Sequence, residues 1–164
     1  MALFSRQPLT EFTLKSLEMV ADRITTAIGA QMATEAHAKV VQLTEQILAS
    51  TEEGIYGLDL EGRTTFMNPA AAKMIGWKPG ELIGRPLHDV LHHTKPDGTP
   101  YPLEECPIYA AFIDGEVRQI RNEVFWRKDG TSFPVEYTST PIWDDKQLKG
   151  AVVIFRHLTQ PKGI

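Results

Sequence analysis

Three imidazoles and a thiol, groups able to hold a soft or borderline metal or act as nucleophiles, fall within residues 88–106: His88, His92, His93 and Cys106. A tight intervening loop can fold back and bring the imidazoles of His92 and His93 to the thiol of Cys106, a set that zinc or copper accepts. Two arguments oppose that reading. A structural site usually takes four ligands, and adjacent histidines on a helix point about 100° apart. At the end of a helix the pair interacts favourably with the electronegative C-terminus, so the sequence favours a capping role for His92 and His93 and no bound metal. Cys106 stands just before Pro107, where a helix N-terminus lowers a thiol pKa while Glu104 and Glu105 oppose the effect; a small buried apolar thiol is the expected role. No nucleophile, base and acid stand at motif distance: Ser132 and Ser139 lack a nearby His or Asp, and there is no glycine-rich phosphate loop. The expectation is a protein that is not an enzyme and carries no cofactor.

Composition narrows the class further. The 164 residues fit one domain plus a helical extension, and the net charge of −4, with no basic block, offers nothing to nucleic acid or an anionic membrane surface. No run approaches the roughly 20 apolar residues of a membrane span. The lone cysteine forms no internal disulfide, so a reducing, cytoplasmic setting is expected. The helical opening and the tail at 161–164 suggest a segment of a longer chain.

The elements that must position these residues follow from periodicity. From Thr10, a plausible cap, to residue 50 there is no proline and one glycine, Gly29, so a single long helix is expected. Its apolar positions run Leu14, Leu17, Ala21, Ile24, Ile28, Met32, Ala36, Val40, Leu43 and Ile47, a seam that is continuous without being a strict heptad. One small domain cannot cover a stripe that long, and a homodimer through this helix is the expected outcome. Strands at 54–60 and 64–67 flank the Glu61-Gly62 turn, and Asn68-Pro69 opens a short helix. Short helices, a proline-rich loop at 95–102 and a helix at 103–114 come next. Strands at 119–128, 132–143 and 149–156 complete an α+β layout, with Pro134 and Pro141 near the ends of 132–143 suiting a strand exposed at its margins better than a central one. Alternation places Ile55, Phe66, Ile75, Leu82, Ile108, Phe112, Phe125 and Val153 toward the core, as pocket lining or as plain packing.

Taken in order, Asp59, Gly62, Asn68, the alanines 70–72, Gly76 and Glu81-Leu82-Ile83-Gly84 resemble the opening of a PAS sensory domain. Arg127-Lys128-Asp129-Gly130, Pro134-Val135 and Gly150-Ala151-Val152 resemble its second half, so the resemblance covers about residues 51–160. It implies a five-stranded antiparallel sheet with short helices enclosing a small pocket on one face. It implies a sensory and dimerisation module of a larger bacterial signalling protein, a histidine kinase or a transcription activator. The alternative is a metal- or haem-binding redox sensor using Cys106 with His92 and His93. The cysteine motif of flavin-binding light sensors is absent, and the helix from which haem-binding relatives supply a histidine has none, with Glu104 near that position. Signalling relatives close with Asp-Ile-Thr; this chain has His157-Leu158-Thr159, which leaves the usual outgoing ion pair in doubt. Residues 12–28 resemble the last helix of a GAF domain through Ala21, Ile24, Ala27 and Ile28, and a generic coiled-coil linker fits the same residues.

Overall fold

The computed structural model describes residues 11–158, with the side chains of 12–14 outside the description. The Thr10 cap, the Leu14 side chain, Thr159 and the tail at 161–164 therefore lie outside the described residues. The chain divides into two units between Glu45 and Gln46.

The first unit is most of α1 (Glu11–Ser50), a run that no proline interrupts. Thr25, Thr26, Thr34 and Thr44 each donate to the carbonyl four residues back.

The second unit is built on β1 (Gly54–Leu58), β2 (Thr64–Met67), β3 (Arg118–Trp126), β4 (Ser132–Asp144) and β5 (Gln147–His157), all antiparallel in the order β2-β1-β5-β4-β3. Between β2 and β3 run α2 (Pro69–Ile75), α3 (Pro79–Leu82), α4 (His88–Leu91), a 3-10 turn (Leu103–Glu105) and α5 (Pro107–Asp114). Ala71, Ile75, Leu82, Leu91, Ile108 and Phe112 from these helices are buried, as are Tyr56, Phe125, Val135, Tyr137, Val153 and Phe155 from the sheet. Burying these side chains, each worth about 1.5–3 kcal/mol, is what holds the short helices, which could not persist alone.

Three details depart from the sequence reading. The inner face of β1 carries Tyr56 and Leu58, so Ile55 lies on the opposite face and is only partly buried. Phe66 is also on that outer face, paired with Gly57; a Cβ on Gly57 would fall 2.3 Å from its ring, so only glycine leaves the ring room. The strand β4 is internal, flanked by β3 and β5, despite its prolines. Pro134 lies beyond the last β5 pair, Val135 with His157, and its carbonyl accepts from the Leu158 N–H at 2.9 Å. Pro141 lies past Ser139, where the pairing with β3 has ended. The missing N–H groups thus fall where a ladder has run out. Finally, the expected helix at 103–114 breaks at Cys106, which is extended (φ −72°, ψ 118°) because a residue before proline avoids the helical region.

Asn68 ties the end of α1 to the sheet. Its Oδ1 accepts from Ile55 N–H at 2.8 Å and from Ala71 N–H at 2.9 Å, the second being the N-cap bond of α2. Its Nδ2 donates to the carbonyls of Leu48 at 3.0 Å and Glu53 at 2.9 Å. The residue is only 2 % exposed, so no water replaces a lost partner. Asn68→Ala removes a cap and strands buried backbone groups, with an expected cost of about 3 kcal/mol. Asn68→Asp keeps the acceptor but sets a carboxylate against two carbonyls. Thermal unfolding should show both variants well below the parent protein; a midpoint unchanged in Asn68→Ala would mean that the junction contributes nothing.

Candidate functional site

The strands and short helices meet at a polar centre buried among aromatic rings. Backbone bonds tie the segment entering α4 to β2: Thr64 N–H to Arg85 O at 3.0 Å, Gly84 N–H to Thr64 O at 2.8 Å, and Leu87 N–H to Gly62 O at 3.1 Å. With α4 so fixed, His88 opens the helix and His92 closes it, four residues on and therefore on the same face. The loop that follows doubles back, Lys95 bonding Thr99 and Tyr101 N–H bonding His93 O at 2.8 Å, and returns the Tyr101 carbonyl to within 2.9 Å of His88 Nε2. Cys106, forced extended by Pro107, becomes the N-cap of α5 and is 2 % exposed.

The last member comes from a β-bulge. On β4, Val135 and Tyr137 are two residues apart and face inward, whereas their partners on β3, Glu123 and Ile120, are three apart. One extra residue is inserted there, with Asn122 in the left-handed region at φ 69°, a conformation asparagine tolerates better than most residues. The bulge turns the Glu123 carboxylate inward while keeping Phe125 in the core.

The resulting chain runs thiol, imidazole, carboxylate. Cys106 Sγ is 3.2 Å from His92 Nδ1, and His92 Nε2 contacts Glu123 Oε2. Tyr101 donates to Glu123 Oε1 at 2.9 Å, and Tyr137 donates to Oε2 at 3.4 Å. A carboxylate and a carbonyl only accept, so His92 carries a proton on Nε2 toward Glu123 and His88 one on Nε2 toward Tyr101. In the neutral rings both Nδ1 atoms then present lone pairs. His92 Nδ1 meets the thiol; His88 Nδ1 is buried with no hydrogen-bond partner among the described residues.

The electrostatics reflect that crowding. Burial alone would raise the Cys106 thiol, but the two imidazoles outweigh it and bring the pKa down to about 6. Burial alone would lower His92, yet the Cys106 sulfur and the Glu123 carboxylate lift it to about 9. Burial likewise raises Glu123, and His92 with the two phenols reverses the direction, so the carboxyl lies below its usual value. Burial and the nearby carboxylate push Tyr101 and Tyr137 well up, keeping both as neutral donors.

Beside Cys106 and the two histidines is a cavity of about 20 Å³, room for one water-sized body. Its apolar walls include Tyr56, Leu58, Leu87, Leu91, Ile108 and Phe112. A thiol, imidazole and carboxylate in line is the geometry of an activated nucleophile, which inspection of the sequence had not revealed. The sulfur lies in the wall of that small cavity.

Of the eight residues expected toward the core, Ile108 and Phe112 line the cavity. Ile75, Leu82, Phe125 and Val153 are buried elsewhere in the same core, and Ile55 and Phe66 are on the far face of the sheet. The alternative set of His92 and His93 with Cys106 is not brought together. His93 points away and stacks on Trp126 at 5.3 Å, with its Nδ1 2.6 Å from Thr94 Oγ1, and His88 takes its place beside Cys106. The missed signal was the four-residue spacing of His88 and His92. Glu123 carried none, because a bulge breaks the alternation that would have shown it. Of the residues expected to signal or dimerise, Leu17, Ile24, Ile28, Val40, Leu43 and Ile47 are exposed in α1, and His157 is exposed at the end of β5, edge-on to Phe133 at 5.4 Å.

No helix among the described residues is long and apolar enough to cross a membrane. The chain is 36 % identical over 117 residues to a probable diguanylate cyclase, DgcE, of Escherichia coli K12, a match covering 70 % of this chain and 10 % of that protein. The chain thus spans about a tenth of the length of that curated relative. Among solved structures it resembles the PAS domain of an HTR-like protein from Haloarcula marismortui, with a TM-score of 0.62 and 16 % identity over 78 % of this chain and 99 % of the other. It also resembles the PAS domain of nitrogen regulation protein NR(II) from Vibrio parahaemolyticus, with a TM-score of 0.56 and 20 % identity over 71 % and 98 %. The PAS fold family model matches residues 42–158, which takes in the whole sheet, its covering helices and the polar centre, and the chain belongs to the PAS family of sensory domains.

Proposed function

We propose that this chain is a sensory and dimerisation module of a larger signalling protein, set between helical linkers, whose output is a histidine kinase, a transcription activator or, as in the Escherichia coli relative, a nucleotide cyclase. The observation that carries this reading is the apolar surface of α1. Ile24 and Leu43 are 53 % and 57 % exposed, and Leu17, Ile28, Val40 and Ile47 are exposed beside them along the helix. A 40-residue helix is about 60 Å long and needs packing partners to persist in water. A second copy of the same helix buries its stripe on the scale of the roughly 1,000 Å² that a specific interface requires.

The sensory end of the module is the polar centre and its cavity, and the output end is β5. That strand is the middle of the sheet, pairs with both β1 and β4, and leads out through His157. A ligand at the centre acts only through a difference in affinity between two arrangements of these elements, so the coupling is about 1–3 kcal/mol. Asn68, bonded to Leu48 and to β1, is the joint through which such a change reaches the helix.

The isolated chain should be a dimer in light scattering at micromolar concentration, and Ile24→Glu with Leu43→Glu should make it a monomer without altering the fold of the sheet. A monomeric parent chain removes the dimerisation reading. At the exit, His157→Asp restores the acid found in signalling relatives and should change basal output in the full-length protein. Unchanged output and unchanged response would reduce His157 to a surface residue.

A further inference from the structure

A thiol and two imidazoles converge on one point from the two ends of α4 and the start of α5. One ring nitrogen each from His88 and His92 and the sulfur of Cys106 all lie within 4.8 Å of one another. We propose that His88, His92 and Cys106 bind a single divalent transition-metal ion of the borderline class that zinc represents, with a fourth coordination position open to the apolar cavity.

Three observations support this assignment. The first is the direction of the lone pairs. His88 Nε2 is committed to the Tyr101 carbonyl and His92 Nε2 to Glu123, so both Nδ1 atoms are left to the centre. A metal-bound histidine characteristically donates its other ring N–H to a carbonyl or a carboxylate, and both acceptors are in place here. The second is His88. A simple thiol–imidazole hydrogen bond explains Cys106 and His92, whereas His88 Nδ1 is buried and reaches the same sulfur only electrostatically, outside good hydrogen-bond geometry. A metal ion gives that atom a partner as well. The third is room and charge. The cavity of about 20 Å³ holds one water-sized ligand in the open position. A divalent ion is neutralised by the Cys106 thiolate and the Glu123 carboxylate, so no net charge is left in the interior.

The donor set selects the ion. Sulfur and imidazole nitrogen exclude calcium and magnesium, which take oxygen, and suit zinc and its neighbours. Bonds of about 2.0–2.1 Å to nitrogen and 2.3 Å to sulfur hold tetrahedral ligands roughly 3.5 Å apart, so closing the site needs a contraction of about 1 Å along its longest edge. On binding, the proton held between Cys106 Sγ and His92 Nδ1 leaves to solvent, and the sulfur and nitrogen lone pairs it frees go to the metal. The open position takes water or another small donor molecule, and exchange there is what the domain reads.

This deepens the sensory reading by naming what the centre holds. Oligomeric state tests the module and metal uptake tests the ligand, so either can fail without the other. The 164-residue chain, stripped with chelator, is titrated with zinc. It should take up one equivalent, with affinity reduced roughly 100-fold or more in Cys106→Ser and His88→Ala and unchanged in His93→Ala. Since core variants can unfold, the same titration of the unmodified protein is followed by NMR. The ring protons of His88 and His92 should shift with one equivalent of zinc while those of His37 and His157 stay. No uptake by the unmodified chain, uptake undiminished in folded Cys106→Ser, or ring shifts confined to the exposed histidines would overturn the proposal.

Discussion

The contact between the Glu123 carboxylate and His92 is the constraint to which much of the second unit answers. A carboxylate inside a protein is costly unless it is paired and its remaining lone pairs are filled. Here the imidazole and two phenols fill them, and each partner imposes a demand on the backbone. The carboxylate reaches inward only because β3 carries a bulge, which in turn puts Asn122 in the left-handed region. Tyr101 reaches it only because the loop after α4 doubles back. The irregular backbone of β3 at Asn122 thus serves the polar centre.

The centre draws its side chains from two helices and two strands. His88 and His92 come from α4, Cys106 from the cap of α5, Glu123 from β3 and Tyr137 from β4. His92 packs edge-on against Phe125 at 5.5 Å, and Phe125 stacks on Tyr137 and meets Phe155 of β5 at 5.2 Å. Close-packed aromatic rings thus connect His92 to the middle strand of the sheet, and such interiors yield by repacking rather than by gradual compression. Asn68, at the end of β2, fastens the Leu48 carbonyl by a side-chain hydrogen bond.

The sequence disclosed what depends on local chemistry. Asn68-Pro69 marked the start of α2, the Asp129-Gly130 turn separated β3 from β4, and the long proline-free run gave α1 nearly to the residue. It concealed what depends on phase and on tertiary pairing. In β1 both alternating sets are apolar or small, so Tyr56 and Ile55 compete for the inner face, and the decision lies with the ring of Phe66 filling the space above Gly57. The prolines of β4 spoke for an edge because sequence does not show where the neighbouring strands end. In the polar centre, Cys106 and His92 were visible as candidates. His88 was a candidate too, but His93, the adjacent residue, was set beside His92 in its place, and the bulge hid Glu123.

The central claim is that the buried thiol and imidazoles form a coordination site rather than a hydrogen-bonded core cluster. X-ray absorption at the zinc edge of the loaded protein addresses it most directly, because it counts the atoms around the ion. The account predicts one sulfur at about 2.3 Å and two imidazole nitrogens at about 2.0 Å, completed by one light atom. A shell of oxygen and nitrogen with no sulfur would contradict it.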